Sequence, residues 1–418
     1  MDDTNELLSA VPGYVTLPTA LSNKTPNQLR KSGALPGSAS DDLDDLICFS
    51  HLRWNFVYQR PQHLLSRAAR HWRVWYIEEP VYSDMASLTV KQVSPQLSVV
   101  TPHLLHGTSP DDAVEQQRAL VDQLLIEQRI YNYAVWYYTP MALPFSNHLR
   151  PRLTIYDCMD ELSAFLGAPP LLIEQERQLL KRADTVFTGG YSLYEAKQKR
   201  HSQVYAFPSC IDFDHFVKAR PIQAGLGKSY LIDPVDQRAI AGPRIGFCGV
   251  IDERLDLTLI DKLAHRRPDW QFIFLGPVVK INPDELPKGP NLHYLGMKSY
   301  DDLPAYFSNW QAAIMPFAIN EATRYISPTK TPEFLAAGLP VVSTPIRDVV
   351  RTYGGWERTI IADSVSTFES GLMMVLQNQL NTDRPELDKF LREQSWENTW
   401  QQMQRILAGQ LQAIGREQ

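Results

Sequence analysis

The sequence predicts an α/β protein built from two parallel-sheet domains, and two observations lead to this prediction. Short apolar runs of strand type alternate with helix-compatible stretches in two successive series along the chain. Strand, helix and strand at this spacing indicate a parallel sheet with right-handed crossovers. The chain has 418 residues, more than one hydrophobic core usually serves, so two domains of roughly 180 to 200 residues are expected.

The chain begins with a segment that differs in composition from the rest. Residues 1–43 mix Pro, Ser, Thr, Asn and Asp without sustained periodicity and run into an acidic stretch, so we predict a flexible or surface-draped arm. An N-terminal Rossmann-like domain follows over 44–222. Its patterns predict strands at 46–49, 74–77, 97–100, 134–138, 153–156, 185–188 and 204–207, and helices at 61–69, 111–131 and 174–182.

A second α/β series follows a stretch rich in Pro, Gly, Lys and Asp, for which we predict a linker over 223–243. The C-terminal Rossmann-like domain covers 244–394. Ser395 suits the N-cap of a terminal helix, 395–418, that crosses back to the first domain. The predicted strands are 244–248, 271–275, 292–295, 312–315, 341–343 and 359–362, and the helices are 257–265, 301–307 and 330–337.

Two such domains face each other across a cleft between the carboxyl ends of their strands, where open α/β sheets bind ligands. Lys and Arg total 41 against 47 Asp and Glu, a formal charge of −6, which argues against a nucleic-acid partner. The four cysteines lie far apart without metal-ligand spacing, so we expect reduced core residues.

The sequence predicts a cytoplasmic protein. No apolar stretch approaches the roughly 20 residues that cross a bilayer, and the first residues lack the features of a signal peptide. Compact basic spots at 150–152 and 197–201 leave peripheral contact with the inner membrane open, although such spots are more often solvated faces.

The most informative segment is 327–344. Its prolines, Pro328 and Pro332, suit a loop and a first helical turn, which places Lys330 and Glu333 on one face of a helix at the carboxyl edge of the sheet. A lysine at such a helix start forms a phosphate site. A carboxylate one turn further on can accept hydrogen bonds from ribose hydroxyls. Taken alone, the pair favours a surface ion pair.

The motifs around this segment resemble those of a known family. In the second domain they are Phe247-Cys-Gly249 with Ile251 and Arg254, Leu275-Gly-Pro277, Tyr294-Leu-Gly296 and Leu303-Pro-Ala-Tyr306. In the first domain they are Thr188-Gly-Gly-Tyr-Ser-Leu193 and Phe207-Pro-Ser-Cys-Ile-Asp212. Together with 327–344, over roughly 46–408, this series resembles the retaining GT-B glycosyltransferases of the family 4 type. The implied fold is GT-B, with a C-terminal crossover helix.

The resemblance assigns roles to individual residues. It implies that Lys330 and Arg254 neutralise the diphosphate as it leaves and that Glu333 binds the ribose. Catalysis of this kind acts on charge that develops on the leaving group. The implied donor-binding set is completed by Gly249, Gly276, Leu295, Gly296, Ser327, Pro328 and Thr329. We expect no metal and no cofactor beyond the sugar nucleotide, because the sequence shows no DxD pair suited to this cleft.

The chain departs from the family pattern at one position. Family members carry a further glutamate upstream of the one that binds ribose, and in this register the residue is Tyr325. Asn320, Glu321 and Arg324 lie just upstream and are candidates for contacts to the transferred sugar. An ordinary polar surface loop is the alternative.

The N-terminal domain offers candidates for the sugar or acceptor side. The loop at 50–63 follows the first strand and is dense in His, Arg, Trp and Gln, so His51, Trp54 and Arg60 are candidate sugar contacts. The alternative is that its aromatic residues pack as ordinary core. Asp157 and Asp160 follow another strand, and a carboxylate there can orient the acceptor hydroxyl or serve as a base. We prefer Asp157 as the catalytic candidate and take Asp160 as an acceptor contact. Helix capping is the alternative for Asp160.

These expectations define a leading hypothesis and two alternatives. The leading one is a hexosyltransferase that moves a sugar from a nucleoside diphosphate to a carbohydrate or lipid-linked acceptor, with retention, in polysaccharide or glycoconjugate biosynthesis. The alternatives are a nucleotide-sugar epimerase on the same scaffold and a non-catalytic sugar-nucleotide-binding subunit. The sequence makes no prediction of oligomeric state.

Overall fold

The computed structural model describes residues 43–220, 231–377 and 384–417. The predicted N-terminal arm therefore lies outside the described residues apart from Leu43, and so does the part of the predicted linker before residue 231. Within the described ranges, no helix is both long and apolar enough to span a bilayer.

The N-terminal domain is a twisted sheet of nine described strands with helices on its faces. The strands are β1 (Asp45–Phe49), β2 (Arg73–Ile77), β3 (Val81–Ser83), β4 (Ser87–Ser94), β5 (Leu97–Leu105), β6 (Tyr133–Tyr137), β7 (Leu153–Cys158), β8 (Thr185–Thr188) and β9 (Val204–Ala206). Their order is β3-β5-β2-β1-β6-β7-β8-β9, and β4 lies antiparallel against β5 while the remaining pairs are parallel. The helices are α1 (Arg60–Ala68), α2 (Pro110–Gln128), α3 (Leu143–Ser146), α4 (Leu171–Arg182) and α5 (Tyr191–Lys197), and α6 (Phe213–Phe216) follows β9 but packs on the C-terminal domain.

The C-terminal domain is a second sheet of six described strands, all parallel. They are β10 (Arg244–Cys248), β11 (Gln271–Leu275), β12 (Leu292–Tyr294), β13 (Ala312–Met315), β14 (Val341–Ser343) and β15 (Thr359–Ile361). Their order, β12-β11-β10-β13-β14-β15, reverses direction at β10, as in dinucleotide-binding sheets. The helices are α7 (Leu257–Arg266), α8 (Leu303–Phe307), α9 (Lys330–Ala336), α10 (Arg347–Tyr353), α11 (Val365–Leu376), α12 (Arg384–Glu393) and α13 (Trp396–Glu417). The predicted pair of parallel-sheet domains is confirmed.

Local chemistry accounts for where these elements begin. The central strands β1, β6 and β10 are fully buried and, apart from Asp45 and Arg244 at the first positions of β1 and β10, lack charged residues, as expected for strands covered on both faces. Helix α2 starts at Pro110 after the N-cap Ser109, whose side chain accepts from the backbone N–H of Asp112 at 3.2 Å. Helix α7 starts after Asp256, which accepts from the backbone N–H of Leu259 at 2.8 Å.

The terminal helix α13 crosses back to the N-terminal domain, as predicted. Trp396, Trp400, Met403, Leu407 and Leu411 are buried in the same hydrophobic cluster as residues of β1, β2 and β6. Hydrophobic burial along one helix face therefore ties the end of the chain to its first sheet.

The C-terminal core begins before the predicted boundary at residue 222. Ile211, Phe213, Phe216 and Ala219 are buried within the hydrophobic cluster of the second domain. The described part of the predicted linker also packs on that domain, because Gln237 is fully buried and accepts from the Trp310 indole N–H at 2.8 Å. The residues just before the predicted boundary and the described part of the predicted linker therefore both pack on the C-terminal domain.

Candidate active site

A cavity of about 680 Å³ opens between the two domains at the carboxyl ends of their strands. Its C-terminal wall includes Cys248, Gly249, Leu275, Gly276 and Lys330, which follow or end β10 and β11 or begin α9. Its N-terminal wall comes from residues 54–58 of the loop after β1. The structure therefore brings predicted donor residues and a predicted sugar-facing loop to one cavity.

Glycines lie at the ends of three neighbouring strands. Gly249 follows β10 with φ +154°, Gly276 follows β11 with φ +143°, and Gly296 lies just beyond β12 with φ +71°. A Cβ atom on Gly276 would lie 1.8 Å from the carbonyl oxygen of Gly249, so only glycine fits there without rearrangement. The Gly276 N–H donates to the Gly296 carbonyl at 2.9 Å, which joins two of these turns. A ligand can thus approach the backbone closely at this edge.

Lys330 and Glu333 form a largely buried ion pair at the start of α9. The Lys330 Nζ atom lies 2.5 Å from Glu333 Oε2, and their side chains are 13% and 6% exposed. Burial would lower the pKa of Lys330, but the neighbouring Glu333 carboxylate and Cys248 shift it above its ordinary value. Lys330 therefore carries a positive charge at neutral pH and faces the cavity that the glycine turns border.

An aromatic cluster closes one end of the cavity and joins both domains. The ring of Tyr300 stacks on His215 with centroids 4.4 Å apart and lies 4.8 Å from the ring of Tyr58. His63 stacks on Trp396 of the terminal helix at 4.5 Å. Burial, followed by the charges of Arg67 and Lys330, lowers the pKa of His63 well below its usual range, so this ring is neutral at pH 7.

A second group of polar residues meets across the cleft. The Phe165 ring of the N-terminal domain lies under two cations of the C-terminal domain, with Arg254 Cζ at 5.4 Å and Lys280 Nζ at 4.9 Å from its centroid. Burial raises the pKa of Asp160 to about 6, against the opposing effect of Arg254. Burial and then the charge of Lys280 lower the pKa of His51 to about 4. Arg254 and Lys280 thus share the Phe165 ring, and the charge of Lys280 acts on both His51 and Asp160. His51, Asp160 and Arg254 are not among the described residues that line the 680 Å³ cavity.

Two predicted residues have a structural rather than a substrate-facing position. Asp157 is fully buried, and its carboxylate accepts from Arg60 Nε at 3.0 and 3.1 Å and from Nη2 at 2.8 Å. Arg60 is 3% exposed and also donates to the Phe207 carbonyl at 2.8 Å. Asp157 and Arg60 thus occupy each other as a buried ion pair, which favours a structural position over the predicted roles of Asp157 in the reaction and of Arg60 as a sugar contact.

The loop upstream of 327 supports the alternative of an ordinary surface loop. Asn320 closes a turn by accepting from the Thr323 N–H at 3.1 Å, and Glu321 pairs with Arg324 at 3.3 Å in an exposed position. Tyr325 is half-buried and packs against the hydrophobic core of the N-terminal domain. None of these four is among the described residues that line the cavity.

Sequence reasoning identified Lys330, Glu333 and the glycines, because each motif is continuous along the chain. It missed Lys280, Phe165 and Tyr300, whose positions depend on how the domains meet. Lys280 has φ +62°, a backbone conformation that is rare for residues other than glycine. No sequence pattern around Lys280 predicts this conformation.

Comparisons with known proteins point in one direction. Residues 242–378 match the family model described as "Glycosyl transferases group 1". The chain is 28% identical over 229 residues to the putative teichuronic acid biosynthesis glycosyltransferase TuaH of Bacillus subtilis (strain 168). That alignment covers 50% of this chain and 55% of TuaH, so it spans about half the length of the curated relative.

Solved structures share the whole architecture at low sequence identity. Sucrose-phosphate synthase from Thermosynechococcus elongatus superposes with a TM-score of 0.65 at 12% identity, covering 88% of this chain and 100% of that one. HepE of Anabaena, solved in complex with UDP and glucose, superposes with a TM-score of 0.60 at 13% identity, covering 88% and 99%. These similarities show that the fold is GT-B, as predicted.

The match over residues 242–378 and the similarity to TuaH are both to glycosyltransferases. They do not favour the epimerase or the non-catalytic subunit.

Proposed function

We propose that this chain is a metal-independent glycosyltransferase that moves a hexose-type sugar from a nucleoside diphosphate sugar to a carbohydrate or lipid-linked acceptor, with retention at the anomeric carbon. The observation that carries the proposal is Lys330, paired with Glu333, on the wall of a cavity bordered by glycine turns, within the residues that match the group 1 family model. Lysine supplies a cation for phosphate, and the glycines allow close approach of a ligand to the backbone.

On the donor side, the bond between the anomeric carbon and the diphosphate oxygen breaks, and negative charge collects on the leaving diphosphate. Lys330 is charged and largely desolvated, so its ammonium interacts more strongly with that charge than it would in water. Glu333, held beside it, accepts hydrogen bonds from the ribose. Leu295 and Gly296 border the base, and Ser327, Pro328 and Thr329 form the half-buried approach to α9.

On the acceptor side, an acceptor oxygen forms the new glycosidic bond, and the proton of its hydroxyl passes to an oxygen of the leaving diphosphate. We assign the acceptor-side contact to Asp160, with His51 as a neutral hydrogen-bonding partner. Arg254 is bound by the Asp252 carboxylate at 2.7–3.0 Å and lies in the group with Asp160, so it supports this side of the cleft as well as the diphosphate. Trp54, 8% exposed, supplies an apolar wall for a sugar ring.

The proposed place of reaction is the cytoplasm, at the inner membrane where the acceptor is lipid-linked. Placement in polysaccharide or glycoconjugate biosynthesis is supported by the similarity to TuaH.

A donor panel tests the function. The purified protein is incubated with UDP-, GDP- and dTDP-sugars, and a thermal-shift screen selects the donor, since a ligand at 100 times its dissociation constant stabilises by about 2.7 kcal/mol. Transfer from that donor to oligosaccharide and polyprenyl-phosphate acceptors is followed by mass spectrometry, and the anomeric configuration of the product by NMR. We expect transfer with retention that persists in EDTA. Conversion of the donor to a sugar isomer without acceptor, or binding without transfer or hydrolysis, contradicts the proposal.

A further inference from the structure

The two domains make a buried polar contact at the starts of α5 and α10. Asp348 of the C-terminal domain is 3% exposed, and its Oδ1 accepts from the Ser192 backbone N–H at 3.0 Å and from the Ser192 hydroxyl at 2.6 Å. Hydrogen bonds to a carboxylate are short and stronger than those between neutral groups. This contact therefore fixes the distance between two elements that belong to different sheets.

A second hydrogen bond between the domains reaches the segment that carries Lys330. Ser209 of the N-terminal domain donates its hydroxyl to the Ser327 carbonyl at 2.7 Å. Pro328 follows Ser327 and has a fixed φ, so little torsional freedom separates this anchor from Lys330. A shift of the N-terminal domain at Ser327 thus moves the start of α9.

The turn at Gly189 and Gly190 is packed between the two sides of the site. A Cβ on Gly189 would lie 2.5 Å from the carbonyl oxygen of Met159, the residue before Asp160. A Cβ on Gly190 would lie 2.3 Å from Asp348 Oδ2 and 2.8 Å from the Ser327 Cβ. Only glycines let the acceptor-side loop, this turn and the donor-side segment approach so closely.

Asp348 also has an incomplete set of partners. Its Oδ2 atom is buried without a hydrogen-bond partner among the residues that the structure describes. An unpaired buried carboxylate oxygen opposes burial, and it regains water when the domains separate. The contact is therefore suited to repeated opening and closing rather than to permanent attachment of the domains.

We propose that Gly190, Ser192, Ser209, Ser327 and Asp348 form an interdomain clamp, in which Asp348 is the positioning residue that sets Lys330 against the acceptor side when the domains close. This inference rests on the proposed function. It adds Asp348, a residue that neither binds the donor nor touches the reacting atoms. It also predicts that a variant that weakens closure of the two domains lowers kcat.

The test uses Asp348→Ala and Gly190→Ala in the full chain, with Glu195→Ala as the matched control. Glu195 pairs with Arg347 and Arg351 at 3.1 and 2.7 Å at the exposed rim of the same contact, where ion pairs contribute little. For each protein, kcat and the donor KM are measured, binding of UDP is titrated, and small-angle X-ray scattering gives the radius of gyration with and without UDP.

The clamp predicts a kcat about 10- to 100-fold lower for both variants, with UDP affinity within about threefold of wild type and a larger radius of gyration in the presence of UDP. Glu195→Ala should stay within about twofold in every measurement. Ser192→Ala, which removes one of the two donors, should give an intermediate kcat. Unchanged kcat and radius in both clamp variants would overturn the inference.

Loss of kcat that matches a loss of folded protein, judged by thermal unfolding, would also overturn it. The scattering measurement separates this inference from the proposed function. If the wild-type protein shows no transferase activity but the variants have a larger radius of gyration, the clamp is supported and the proposed function is contradicted. If the variants transfer sugar normally and their scattering is unchanged, the proposed function is supported and the clamp is contradicted.

Discussion

The pair formed by Arg60 and Asp157 gives a prediction whose size follows from the structure. The change is Asp157→Asn, which keeps the side-chain shape and one acceptor oxygen but removes the negative charge. Arg60 is 3% exposed and loses its contact with Oδ2 of residue 157, whereas Oδ1 still accepts from Nε and Nη2 and the Phe207 carbonyl accepts from Nη1. A buried guanidinium is then left without a counter-charge, which costs about 3–5 kcal/mol.

The magnitude should fall at the lower end of that range, because Oδ1 of the asparagine still accepts from Nε and Nη2 of Arg60. For a domain of this size, 1 kcal/mol shifts the melting temperature by about 2–4 °C, so about 3 kcal/mol corresponds to roughly 6–12 °C. The assay is denaturant and thermal unfolding followed by tryptophan fluorescence, together with kcat at a temperature where the variant is folded. We expect kcat per folded molecule to remain close to wild type.

Two further proteins complete this experiment. Glu174→Gln breaks the exposed pair with Arg177 and should leave the unfolding midpoint unchanged. Arg60→Met combined with Asp157→Leu removes both buried charges and should recover part of the lost stability. Wild-type stability with a large loss of kcat in Asp157→Asn would refute the structural assignment and return Asp157 to a role in the reaction.

The remaining predictions concern the two sides of the cleft and the terminal helix. Burial raises the pKa of Asp160 to about 6; if its ionised form serves the acceptor, kcat/KM should rise with pH through about 6, and Asp160→Asn should abolish that limb of the profile. Gly276→Ala places a Cβ 1.8 Å from the Gly249 carbonyl oxygen at φ +143°, so titration of the donor should show at least a tenfold loss of affinity, roughly 1.4 kcal/mol. Gly409→Ala meets no atom within 4 Å inside α13 and should raise the free energy of unfolding by about 0.4–1 kcal/mol in denaturant titration.

Much of the fold is predictable because its central strands are buried on both faces. Beyond the charged first residues of β1 and β10, strands β1, β6 and β10 are uncharged and mostly apolar, and each was expected within one residue of its observed bounds. Strand β4 was missed because it lies at the sheet edge, where Val90 to Ser94 are exposed. An exposed strand does not need a continuous run of apolar residues, so the sequence carries no such run to reveal it. The short helix α5 was missed because seven residues carry too little periodicity.

The site was predictable only where its parts are neighbours in sequence. Lys330 and Glu333 are three residues apart, so helical geometry alone brings them together. Ser192 and Asp348 are 156 residues apart, and their contact depends on how the two domains pack. Asp157 was placed correctly at a strand's carboxyl end, but its burial depends on Arg60 from α1, which sequence spacing does not specify.

The central claim is that Lys330 stabilises the diphosphate as it leaves. Its most direct test is kcat at saturating donor for wild type, Lys330→Ala and the control Lys262→Ala, whose lysine is exposed on α7. We predict that Lys330→Ala lowers kcat by about 100-fold or more, as loss of a transition-state contact does, with a normal kcat for the control. The variant leaves the buried Glu333 without its partner, so kcat is measured per folded molecule at a temperature where thermal unfolding shows the variant to be folded. A Lys330→Ala protein that transfers sugar at a near-normal rate would contradict the account.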